Sequence, residues 1–285
     1  MKIDKETNSK IGIYEFNKFH NVKSYEYTHC HPSLNITSDE DSESNIEDVY
    51  YVFDCPGGDA FAHWVYESFI TYPIFSELRL KYPNIKVLTK NDKKYVKSFL
   101  KLLDDDIEIV NSINNARNIC FFPPILSLND HSIDQELFSS LVDNFKKMII
   151  DNITIMCTNS IILLPRNNKD NYSANDRKVD IDDIYEYIID NDGTIFNTYE
   201  INNLKLQFSI INSFKNIILD YGSSFLVNSI FQTNKNIFVL DNFDHSYQIG
   251  KFVAIRILYD KICSLNNVSL LKNCSLDDIK KLTTL

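Results

Sequence analysis

Lys215-Asn-Ile-Ile-Leu-Asp-Tyr-Gly222-Ser-Ser-Phe-Leu-Val-Asn228-Ser-Ile-Phe231 runs from a short β-branched stretch, through a Gly-Ser-Ser turn, into a second apolar run. A buried strand feeding a helix through a glycine turn is the joint from which α/β proteins are built. The first N–H groups of such a helix have no partner inside it and stand at the positive end of its dipole. Gly222 lets a ligand approach the backbone closely, so the turn suits an anion such as a phosphate. Upstream, Ile161-Ile-Leu-Leu-Pro-Arg166 ends a similar strand on an arginine, and Arg177 follows after a polar loop. An anion-accepting turn with two permanent cations near it in sequence points to a nucleotide diphosphate.

The same alternation extends in both directions from this joint. Strands are expected at 161–165, 194–196, 216–220 and 236–240, and helices at 180–189, 203–213 and 224–231, with a last helix at 251–263. In the first half, Val49-Tyr-Tyr-Val-Phe53 reads as a strand, and Pro56-Gly-Gly58 breaks it before an amphipathic helix over 62–80 that Pro73 kinks or splits. Strands at 85–88, 107–110 and 118–122, a helix at 94–103 and a long helix over 132–151 complete that half. The fold class is therefore α/β, with parallel sheets covered on both faces. Three regions are expected: a polar N-terminal segment over 1–46, an α/β domain over 47–155 and a Rossmann-like domain over 156–285. The first ends in the acidic run Thr37-Ser-Asp-Glu-Asp-Ser-Glu-Ser44, which reads as a loop. In open parallel sheets, ligands bind beyond the carboxyl ends of strands, where Arg166 and Tyr221-Gly222 fall.

Charge narrows the partners. The 285 residues carry 29 Lys and Arg against 39 Asp and Glu, a net charge of −10, which argues against a nucleic-acid binder. An anionic ligand would need basic residues gathered locally. No apolar run is long enough to span a membrane, and the opening Met-Lys-Ile-Asp-Lys-Glu lacks the apolar core of a signal peptide, so a soluble, cytoplasmic chain is expected. The six cysteines have neither metal-ligand spacing nor a CxxC pair, and reduced thiols are expected. Asp104-Asp-Asp106 and Asp190-Asn-Asp192-Gly193 read as turns rather than metal loops.

Three blocks, in order, carry a family resemblance. They are Phe61-Ala-His63-Trp64-Val-Tyr-Glu67; Arg166 with Arg177; and Gln207 followed by a strand and Gly222-Ser-Ser-Phe-Leu-Val-Asn228-Ser-Ile-Phe231. Together they resemble glycosyltransferase family 61, whose relatives include protein O-GlcNAc transferases and plant xylosyltransferases. The resemblance implies a GT-B-like pair of Rossmann-type domains facing a cleft. It also implies inverting, metal-independent transfer of a sugar from a nucleotide donor, UDP above all, to a glycan or protein hydroxyl, with no further cofactor. Arg166, Arg177, Tyr221, Gly222, Ser223, Ser224 and Asn228 would hold the donor. The chain departs from the family at Asp180, where Asn is usual, at Tyr221, where many members have His, and at Ser223, where many have Ala. A second reading therefore stands beside the first: a nucleotide- or glycan-binding protein that keeps the fold without turnover.

His63 and Glu67 lie four residues apart and share a helix face. His63 would take the proton of an acceptor hydroxyl while Glu67 orients it, or His63 would simply hold the Pro56-Gly-Gly58 loop. Asp54 and Asp59 flank that loop as other carboxylates. Trp64 reads as core, Gln207 as structural, and Asn228 either as a ligand contact or as a brace for neighbouring backbone.

Overall fold

The computed structural model describes residues 49–55, 61–102, 106–111, 114–121, 135–150, 161–165, 182–198, 203–241, 249, 253–272 and 276–283, together with strands at 4–5, 14–15, 20–28 and 31–38. Arg166, Arg177, Asp180, Asp59, the Pro56-Gly-Gly58 loop and most of the acidic run lie outside the described residues. The chain divides into two compact units, Met1–Phe145 and Lys146–Leu285.

The first unit is built on a six-stranded sheet. Its strands are β3 (His20–Thr28), β4 (His31–Ser38), β5 (Tyr50–Val52), β6 (Lys86–Leu88), β7 (Ile109–Val110) and β8 (Asn114–Phe121), in the order β4-β3-β8-β5-β6-β7. Strands β1 (Asp4–Lys5) and β2 (Tyr14–Glu15) form a separate antiparallel pair. From β8 to β7 every neighbour is parallel, with Val52 beside Leu88 and beside Phe121, and Leu88 beside Val110. Parallel strands need crossovers, and α1 (Phe61–Glu67), α2 (Tyr72–Lys81) and α3 (Lys94–Leu100) lie within them. Pro73 splits the expected single helix: α1 ends, a 3-10 turn covers Phe69–Thr71, and α2 restarts with the proline in its first turn, where a missing N–H costs nothing. The core is aromatic. Tyr51, Phe53, Trp64, Phe69, Phe75 and Phe99, with Phe138 and Phe145 from α4 (Gln135–Ile150), are each almost wholly buried.

Two features of this unit depart from the sequence reading. The sheet is mixed rather than all parallel, because β3 pairs antiparallel with both β4 and β8. Its hairpin comes from the stretch read as a polar segment. The polar residues of 20–38 hid a strand that gains its partner, β8, only in the folded chain.

The second unit is a five-stranded parallel sheet of β9 (Ile161–Leu164), β10 (Thr194–Ile195), β11 (Asn216–Asp220), β12 (Asn236–Asp241) and β13 (Asn267–Lys272), in the order β10-β9-β11-β12-β13. Numbered within the unit this is 2-1-3-4-5, one of the doubly wound orders. Its helices are α5 (Asp182–Asp190), α6 (Leu204–Ser213), α7 (Ser223–Ile230), α8 (Val253–Leu265) and α9 (Leu276–Thr283). The strand read as 216–220 falls on β11. Ile161, Leu163, Ile218, Phe238 and Leu240 bury one face against Ile184 and Ile188 of α5 and Ile279 of α9. Ile162, Leu164, Ile217, Leu219, Ile237 and Val239 alternate with them and are equally buried, as a sheet covered on both sides requires. The helix expected to be last, α8, is followed by β13 and α9, so the unit closes on an edge strand that the sequence reading omitted.

Two local details show why the elements end where they do. At the end of α5, Gly193 N–H reaches Ile188 O at 2.7 Å and Asp192 N–H reaches Ile189 O at 3.1 Å, the paired bonds of a Schellman cap, with Asp192 left-handed at φ 53°. The Asp190–Gly193 acids are thus a turn, as read. At the opposite end of the sheet, Asn216, Asn236 and Asn267 sit in register at the strand starts and form a ladder. The Asn236 amide donates to Asn216 Oδ1 at 2.8 Å, and the Asn267 amide donates to Asn236 Oδ1 at 3.3 Å.

Candidate functional site

Each unit has a point where its strand order reverses, the place beyond whose strand ends open parallel sheets generally bind ligands. In the first unit the reversal lies between β5 and β8, and in the second between β9 and β11. Both chemistry-bearing motifs fall beside these points.

Phe53, Asp54 and Cys55 follow β5, and α1 carries His63 and Glu67. Two bonds pin α1 to the strand end: Trp64 Nε1–H donates to Phe53 O at 2.7 Å, and the Cys55 thiol points at His63 O at 3.7 Å. Trp64 is fully buried, packed on Phe69 and Phe99, and is therefore core. On the helix, His63 Nδ1 meets Glu67 Oε1 at 2.7 Å, with 24% of the His63 side chain exposed and 1% of the Glu67 side chain. With Nδ1–H donating to Glu67 Oε1, Nε2 is left as the acceptor nitrogen, so a half-open imidazole is oriented by a buried carboxyl group. That is the arrangement of a general base and its orienting group.

Asp54 has a different task. Its Oδ1 accepts the Thr89 hydroxyl at 2.6 Å and its Oδ2 accepts Lys90 N–H at 2.9 Å, tying the carboxyl ends of β5 and β6 together. Cys55 feels the charges of both Asp54 and Glu67. Burial, reinforced by the Glu67 and Asp54 charges, pushes its thiol far above the ordinary range, so it stays neutral. Cys55 and Cys263 are free thiols among the described residues.

In the second unit, β11 delivers Tyr221 and Gly222 to the start of α7. Tyr221 N–H still bonds Leu240 O at 3.1 Å, and its ring stacks on Phe225, so the backbone rather than the ring borders the turn. Gly222 has φ 128° and ψ −151°, a conformation essentially reserved for glycine, and a Cβ built there would meet nothing within 4 Å. The open space and the backbone angle together mark a turn with its face uncovered by the described residues. Gly222 stands at the N-cap without a side-chain cap, so the N–H groups of Ser223, Ser224 and Phe225 keep the unpaired character of a first helical turn. Ser223 is exposed and Ser224 half-buried.

Behind this turn runs a relay. Gln207 Nε2 donates to Asn228 Oδ1 at 3.1 Å, and Asn228 Nδ2 donates to Ser224 Oγ at 3.0 Å. Asn228 is 2% exposed and Gln207 5%, so both act as braces, and Asn228 works through Ser224. Because Ser224 Oγ accepts here, its own hydrogen remains to be donated elsewhere. The sequence reading gave Gln207 only a structural role and missed both the relay and the Asp54 tether. The Gln-to-Asn pairing joins two helices 21 residues apart, and the tether depends on the β5–β6 register, neither of which a spacing reveals.

His63 and Glu67 thus lie in one unit, and Tyr221, Gly222, Ser223, Ser224 and Asn228 in the other. No family model matches the chain, and none of the curated proteins matches it.

Proposed function

We propose that the protein is an inverting glycosyltransferase that moves a sugar from a UDP-sugar to a hydroxyl of a glycan or protein, without a metal. The observation that carries this reading is the His63–Glu67 pair at the strand-order reversal of the first unit, a base with its orienting carboxylate. The family resemblance and the uncapped first turn of α7 support the donor half. In this scheme His63 Nε2 takes the proton of the acceptor hydroxyl as the oxygen attacks the anomeric carbon, and the buried Glu67 stabilises the imidazolium that forms. The C–O bond to the diphosphate breaks, and charge builds on the leaving β-phosphate. Ser223 N–H, Ser224 N–H, the Ser224 hydroxyl, Arg166 and Arg177 neutralise it. A GT-B-like pairing of the two units belongs to the same proposal.

The test is UDP release from a panel of UDP-sugars in the presence of EDTA. Release is expected, and His63→Ala should lower it about 10²-fold or more, the usual contribution of a positioned base. UDP binding with no release from any donor would instead identify a nucleotide-binding protein without turnover. A folded protein that neither binds nor releases UDP would overturn the reading.

A further inference from the structure

We infer that the acceptor side of the first unit recognises an acidic glycan, one carrying carboxylate or phosphate groups; this rests on the transferase reading above. The loop from β6 into α3 is Thr89-Lys90-Asn91-Asp92-Lys93-Lys94, three lysines against one aspartate, in a chain of net charge −10. Lys93 and Lys94 are exposed and Lys90 is half-buried, and Lys97 continues the exposed basic face one turn into α3. Among the described residues of this strand end, the lysines outnumber the loop's Asp92 and the tethering Asp54.

The loop is also rigidly built and lies at the base's end of the sheet. Asp54 holds Thr89 and Lys90, the Thr89 hydroxyl accepts Asn91 N–H at 3.3 Å, and Asn91 Oδ1 accepts Lys93 N–H at 3.2 Å. Thr89 and Asn91 are buried, so the lysines rise from an ordered platform. Asp54 is followed by Cys55, whose thiol meets the backbone of His63, so the tether that fixes the lysine loop adjoins the residue that fixes the base. Ordered cations beside a base raise the local concentration of an anionic substrate and disfavour neutral or cationic competitors. Lysine suits this as a point charge that does not demand bidentate geometry, compatible with either acid group.

The experiment titrates wild-type protein with tetragalacturonate against a neutral galactan tetrasaccharide, and with mannose 6-phosphate against mannose, at low and at raised salt. Preference for at least one acidic probe, weakening as salt rises, is expected, and which probe wins identifies the acid group. Lys90→Gln/Lys93→Gln/Lys94→Gln, and separately Lys93→Glu/Lys94→Glu, should weaken acidic-probe binding about tenfold or more while leaving UDP binding unchanged. Equal binding of acidic and neutral probes, unchanged binding by the folded variants, or tighter binding of an oligonucleotide of matched charge would overturn the inference. UDP release by a protein without preference for acidic probes would sink this inference alone. Lysine-dependent binding of an acidic probe without UDP binding or release would sink the transferase reading and leave an acidic-glycan surface.

Discussion

At the scale of single residues, two positions are constrained for different reasons. Gly222 is glycine because of its backbone, at φ 128°, and not for want of room, since a Cβ there meets nothing within 4 Å. Gly222→Ala should therefore cost about 1–3 kcal/mol, the usual strain of an L-residue in such a region, or shift the turn and weaken UDP binding. Thermal melts paired with UDP titration check both effects. Gly193 is the reverse case. Its built Cβ would lie 2.6 Å from Ile188 Cγ2 and 2.8 Å from Ile188 O, so Gly193→Ala must open the α5 cap and lower the melting temperature. The glycines were legible in the sequence as turn markers; which constraint each answers was not, because that depends on neighbours brought in by folding. His63 and Glu67 were legible because a helical spacing of four is a local fact.

Cys55 supplies a pH dependence with a definite sign. Its folded thiol is raised far above the ordinary value of 9.0, first by burial and then by Glu67 and Asp54, whereas the unfolded thiol ionises near that value. The folded state therefore holds a proton that the unfolded state gives up. The stabilisation is complete below about pH 9 and falls as pH rises beyond it. Tyr66, raised by burial, and Tyr259, pushed up to about 12 chiefly by burial, act in the same direction at higher pH. Urea midpoints measured from neutral to alkaline pH should decline, less steeply in Cys55→Ala, and native Cys55 should react with thiol reagents only slowly.

At the scale of elements, the fold was most legible where apolar runs were dense. β9, β11 and β12 fall where Ile and Leu cluster, and Pro73 marked the break between α1 and α2. The hairpin β3–β4 and the edge strand β13 escaped because their sequences, His20-Asn-Val-Lys-Ser-Tyr-Glu-Tyr-Thr28 and Asn267-Val-Ser-Leu-Leu-Lys272, mix polar residues into short runs whose pairing is decided by distant strands. The α6–α7 contact was likewise invisible, although it braces the start of α7 behind Gly222. Gln207→Met leaves Asn228 Oδ1 without its donor inside a buried helix pair and should cost about 1–3 kcal/mol. Denaturant unfolding measures that cost. If Ser224 is oriented by the relay, the same variant weakens UDP binding in a Ser224-containing protein and has no further effect in Ser224→Ala.

At the scale of the whole molecule, both units are α/β, each with a parallel run of strands whose order reverses once, and each reversal lies beside a motif that the sequence singled out. The proposed function rests on a nucleotide donor. The most direct measurement is calorimetric titration of UDP, GDP, CMP and ADP into the folded protein with EDTA present, repeated with Arg166→Ala. UDP is expected to bind tightly, to bind better than the other nucleotides and to lose that binding in the variant. A folded wild-type protein that binds none of the four would contradict the proposed function.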